Sequence, residues 1–191
     1  MSDELYELLK GLTDIPLAME ALILALAGRK KPGGELRTKL LYAVAAAAVL
    51  GTLAHALPLS LTWKNLFWMV LYAVLGLCVW LLAVHIDTIA GAESKPGDPY
   101  RKLSLLILAV TYIASVAVML ADPEGPDIIV FVAGAALVLL ARIPAVVKRG
   151  GHLRLFFGLI ALGGVLQALR NTVPYAVLWE HLCFLAGLLF L

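Results

Sequence analysis

Three stretches of this chain, residues 40–63, 65–86 and 103–121, contain no Asp, Glu, Lys or Arg. Apolar runs of roughly 18 residues or more are long enough to cross the hydrocarbon core of a bilayer as helices. Inside lipid every backbone N–H and C=O must be satisfied within the protein, so only helices and closed barrels can cross. The runs are continuous rather than alternating, which excludes a barrel. The fold class expected is therefore all-α, an integral membrane bundle. Composition agrees: 62% of the 191 residues are apolar and 15% are charged, against about 25% charged in an average soluble domain.

The loops and breaks divide the chain into seven spans. Residues 1–14 carry Leu5, Leu8, Leu9 and Leu12 at helical spacing and read as an interfacial segment lying on the membrane. Thr13-Asp14-Ile15-Pro16 then reads as a helix start, with side-chain acceptors for free N–H groups and a proline just inside. Residues 15–191 form one seven-helix domain, with helices near 15–28, 40–57, 65–86, 103–121, 128–142, 153–169 and from 173 onward. The N-terminus is acidic and lacks the basic start of a cleavable signal peptide, so the first span is expected to act as the insertion signal.

Loop charge sets the orientation. Under the seven-helix count, 12 of the 15 Lys and Arg fall on one side: Arg29, Lys30, Lys31, Arg37, Lys39, Lys95, Arg101, Lys102, Arg142, Lys148, Arg149 and Arg154. Lys10, Lys64 and Arg170 fall on the other, together with the acidic 122–127 turn. By the positive-inside rule the N-terminus is outside and the C-terminus cytoplasmic, in the inner membrane of a bacterium or archaeon. The net charge of +2 gives no nucleic-acid footprint. Cys78 and Cys183 stand singly in apolar stretches and read as core residues. Gly158, Gly163 and Gly164 read as close-packing surfaces of helix 6.

With sides assigned, the embedded polar residues acquire depths. Glu20 lies four residues past Pro16, His55 three before Pro58, Gln167 four before Asn171, and Glu180 and His181 six and seven after Pro174. All come to roughly 5–11 Å below the outer helix ends at about 1.5 Å per residue. Ionisable groups are costly against lipid and cheap against one another, so helices 1, 2, 6 and 7 are expected to share an outward-facing pocket, with Asp14, Arg170 and Asn171 at its mouth. His55 and His181 are candidate zinc ligands, with the carboxylate of Glu20 or Glu180 completing the site or taking a proton from metal-bound water. A structural hydrogen-bond cluster tying the four helices together is the plainer reading of the same residues.

Seven helices with Thr13-Asp14 opening the first, His55 near the outer part of helix 2, and Gln167, Asn171 and His181 late in the chain resemble a bacterial seven-helix group. That group is near the superfamily of alkaline ceramidases and progestin/adiponectin-type receptors. The resemblance implies zinc held by a helix 2 histidine and two helix 7 histidines at i and i+4, with a serine one turn before the first and an aspartate on helix 3. His55 and His181 match that pattern. Val177 and Leu185 occupy the positions of the second helix 7 histidine, Gly51 that of the serine with Thr52 beside it, and helix 3 has no acid before Asp87. The function implied is a metal-dependent hydrolase of a lipid amide or ester. The rivals are a receptor, sensor or assembly subunit that binds a lipid-like or small molecule, and a haem protein using His55 and His181 as axial ligands.

Overall fold

A computed structural model describes residues 3–29, 34–57, 59–91, 99–122, 128–169, 172–173 and 175–191. Among them the ordered elements are eight helices: α1 (Asp3–Gly28), α2 (Glu35–Ala56), α3 (Leu61–Ile89), α4 (Pro99–Ala121), α5 (Ile128–Leu140), α6 (Ile143–Arg149), α7 (His152–Ala168) and α8 (Ala176–Leu188). The chain is all-helical, as its charge-free runs predict. Residues Leu8–Gly28 of α1, and α2, α3 and α4, are each long and apolar enough to cross a membrane; α5 and α6, which meet at a 48° bend, are long and apolar enough when taken together. The helices α7 and α8 are apolar but shorter.

The first helix departs from expectation. It runs unbroken through Thr13-Asp14-Ile15-Pro16, with Pro16 in its interior. The leucines of the N-terminal segment belong to a longer stripe: Leu5, Leu8, Leu12, Ile15, Met19, Leu22 and Leu26 all stay exposed. This is one face of one helix, so the segment does not end at residue 14. The opposite face is made of small residues. Asp14, Ala18, Ala21 and Ala25 are buried, and a Cβ on Gly11 would stand 3.1 Å from the Ala56 side chain. Small side chains let helix backbones approach closely, and α1 packs antiparallel on α2, residue 11 meeting 56 and residue 28 meeting 37.

The helices close into a ring. α1 packs on α2, α2 on α3, α3 on α4 and α5, α5 on α7, α7 on α8, and α8 back on α1. Alanine-rich α2 lies inward, with Ala43, Ala45, Ala47, Ala48 and Ala54 buried. α4 lies outside, buttressing α3 and α5, and exposes Leu105, Leu106, Val110, Ile113 and Leu120. Its contact with α5 is tight at Gly134, where any Cβ would overlap the side chain of Thr111.

Residues 142–152, expected as a loop, instead hold α6, started by Pro144 near its first turn. Arg142 is not a loop cation. It is 5% exposed, and its guanidinium donates to Ser104 Oγ at 2.8 Å, to the Val138 carbonyl at 2.9 Å and to Asp87 Oδ2 at 3.3 Å. One side chain thus fixes α3, α4 and α5 together at the α5–α6 bend. α3 extends to Ile89, so His85 lies a turn inside the helix rather than in its last turn, and it is buried.

Candidate functional site

The ring surrounds a cavity of about 210 Å³. α1 contributes Asp14 and Leu17, α2 Leu40 to His55, α3 Trp68 to Leu82, α5 Ile128 and Leu139, α7 Phe156 to Gln167, and α8 Val177 to Leu188. Along α2 the lining from Leu40 to His55 covers roughly 22 Å at about 1.5 Å per residue, so the space is long and narrow. Its walls are hydrocarbon and sulfur over most of that length. The polar side chains Asp14, His55, Gln167, Glu180 and His181 are the exception, and by chain position they gather at the end that α2 and α7 reach last and α8 reaches first.

Five of the residues expected from the sequence are therefore brought together. Glu20 is not: it is half-buried on α1 and does not line the cavity. The unbroken helix explains this. At about 100° per residue, Glu20 is rotated about 120° from Asp14 and about 60° from Leu17, which places it off the line that faces inward. The same continuity moves Asp14 from the expected mouth into the cavity wall, where it is 5% exposed. Arg170 and Asn171 lie outside the described residues.

His181 is held from α1 by two neighbouring side chains. Its Nδ1 lies 2.6 Å from Thr13 Oγ1 and its Nε2 lies 3.5 Å from Asp14 Oδ1. Thr13 donates its hydroxyl proton to the Lys10 carbonyl at 2.8 Å. A hydroxyl has one proton and two lone pairs, so Oγ1 is left to accept from His181 Nδ1–H. The neutral ring then carries its lone pair on Nε2, toward Asp14 and the cavity. An outer hydrogen bond that fixes the tautomer of a working histidine is a common device. Sequence reading named Thr13 as a helix cap. Its adjacency to Asp14 becomes a functional signal only once the helix is known to continue.

Asp14 owes its place to Gly51. A Cβ there would lie 2.5 Å from Asp14 Oδ2, so the small residue on α2 is the recess that takes the carboxylate. His55, one turn later, packs edge-on against Trp68 with centroids 5.1 Å apart. Trp68 continues to Tyr72, which stacks on Phe131 at 5.7 Å. Glu180 and Gln167 are 8% and 9% exposed, and Gln167 Oε1 has no hydrogen-bond partner among the described residues. A buried amide oxygen left without a partner costs on the order of 1–3 kcal/mol, which a polar ligand or a water in the cavity would recover.

Among the described residues no three His, Cys, Asp or Glu side chains stand close enough to hold a metal ion. The turn before His181 presents Val177 to the cavity, a hydrocarbon where a second histidine would be needed. What the arrangement can do is bind an apolar chain along its length and exchange a proton at His181 Nε2.

No curated protein and no solved structure matches the chain. Residues 9–169 match a family described as a family of unknown function, DUF6962, a span that carries Thr13, Asp14, Gly51, His55 and Gln167 and stops short of Glu180 and His181. Because that match covers most of its length, the chain belongs to DUF6962.

Proposed function

We propose that this is a seven-span protein of a bacterial or archaeal inner membrane, N-terminus outside, that takes a long-chain amphiphile into its ring and hydrolyses an amide or ester bond at its polar end. The observation that carries the reading is the cavity itself: some 20 Å of hydrocarbon wall ending at Asp14, His181, Gln167, Glu180 and His55. The seven spans are α1 to α4, the bent α5–α6 pair, α7 and α8, and the asymmetry of loop Lys and Arg supports the orientation.

In this reading His181 Nε2 takes a proton from a water molecule, whose oxygen bonds to the carbonyl carbon of the substrate. The C–N or C–O bond then breaks, and the leaving amine or alcohol takes the proton back from the imidazolium. Asp14 stabilises the ring while it is charged, and Thr13 holds its orientation. General acid–base catalysis of this kind contributes roughly 10²–10⁴-fold.

The test uses the purified full chain in phosphatidylcholine vesicles with a panel of long-chain N-acyl amines and esters. Product release that falls at least 100-fold in His181→Ala supports the hydrolase. Saturable binding without turnover supports a second reading, a receptor, sensor or assembly subunit, which the Thr13–His181 tie between α1 and α8 also favours. Stoichiometric zinc in the purified protein would return the reaction to a metal-dependent route.

A further inference from the structure

The two adjacent glycines of α7 face different things. A Cβ on Gly163 would overlap the ring of Phe184, so this edge of the helix is filled by α8. A Cβ on Gly164 would meet nothing within 4 Å. At about 100° per residue, Gly164 lies on the other side of the cavity-facing line of Phe156, Ile160 and Gln167. That is the side of α5, the next helix of the ring. α5 and α7 touch along only a short stretch, far less than α7 and α8 do. The expectation that the α7 glycines are close-packing surfaces therefore holds for Gly163 and not for Gly158 or Gly164.

The open seam has an address. Gly164 is one turn from Gln167, whose buried, unpartnered Oε1 belongs to the polar end of the cavity. Beside it on the outside, Val165 on α7 and Ile129 on α5 are exposed hydrocarbon. A gap between spanning helices, flanked by lipid-facing side chains and leading to an apolar cavity, fits a lipid tail.

We infer that the α5–α7 seam at Gly164 is a lateral portal through which a single-chain lipid passes from the bilayer into the cavity, its polar group coming to rest beside Gln167. The inference rests on the reading of the cavity as a lipid site and adds the route. Gly164 is then a determinant of entry rate, because any side chain there projects into the passage.

The experiment follows Trp68, which lines the cavity, in the full chain carrying Trp63→Phe, Trp80→Phe and Trp179→Phe, reconstituted in phosphatidylcholine vesicles. The probe is a bromine-labelled long-chain fatty amide delivered from a second vesicle population, and the readout is the rate of Trp68 quenching. Gly164→Leu is expected to slow quenching at least tenfold and Gly164→Ala by an intermediate factor. Gly158→Leu, at an exposed glycine with equal room around it, should stay within twofold of the parent. Replacing a helical glycine favours helix, so slow quenching in Gly164→Leu with an unchanged melt reports the passage rather than the fold. Quenching in the parent with Gly164→Leu equally fast overturns the portal and leaves the cavity reading standing. No quenching in the parent overturns both.

Discussion

Among the described residues two buried polar clusters stand at opposite ends of the ring, and they are built on different terms. At the end that α3 reaches last, Arg142 meets Ser104, Asp87 and the Val138 carbonyl at 2.8–3.3 Å, every contact within the protein. At the end that α2 reaches last, Asp14 and His181 are 3.5 Å apart, Gln167 Oε1 is without a partner among the described residues, and the group borders a cavity. Charges that answer one another internally are how a bundle fixes its geometry. Polar groups left short of partners beside open space are how it holds something else. The contrast separates a strut from a candidate site although both use buried ionisable side chains.

The sharpest way to break the distinction is to cut the strut. Arg142→Ala leaves Asp87 and Ser104 without their donor, and losing one partner of a buried ion pair costs about 3–5 kcal/mol. We expect that loss in a denaturant or thermal unfolding series, with part of it recovered in Arg142→Ala/Asp87→Ala. A loss no larger than that of an outer-layer substitution would erase the contrast. Gly51→Ala comes next: the new methyl meets Asp14, overpacking costs about 1–3 kcal/mol, and the gain in helix propensity of about 1 kcal/mol offsets part. Its main effect should be on ligand affinity, because the carboxylate must move from His181. Thr13→Val should cost about 1 kcal/mol, the value of one net hydrogen bond. It should also shift the ¹⁵N resonances of His181 away from the Nδ1–H tautomer; unchanged resonances would remove Thr13 from its assigned role. Glu20→Gln should change stability by about 1 kcal/mol or less, because it keeps the size of a half-buried side chain whose Oε2 has no hydrogen-bond partner among the described residues. Ligand binding should not change, since Glu20 is not in the cavity wall.

These residues also mark how far the sequence could be read. The charge-free runs give long apolar helices directly, because a chain that must satisfy its own backbone in an apolar setting has few alternatives. Of the five residues that counting places at one depth, His55, Gln167, Glu180 and His181 line one cavity and Glu20 does not. The first helix was misread at Thr13–Pro16 because capping rules describe helix ends in water. In a membrane a continuous exposed stripe from Leu5 to Leu26 keeps the helix going past its proline, and Asp14 and Glu20 rotate accordingly. Arg142 was assigned to a loop because its partners Asp87 and Ser104 are 55 and 38 residues away, a separation that local pattern does not reveal. The difference between Gly163 and Gly164 likewise depends on Phe184, a residue of another helix.

Helix length carries one more consequence. α8 has 13 residues and α7 has 17, whereas α3 has 29, giving heights of roughly 20, 26 and 44 Å at about 1.5 Å per residue. The hydrocarbon layer is about 30 Å thick. In the seven-span arrangement we propose, lipids beside α8 would meet a rim shorter than themselves and thin to match it, while those beside α3 would meet one that is taller. The protein would then act as a wedge in the elastic sheet of the bilayer and is expected to partition toward thinner membranes over thicker ones.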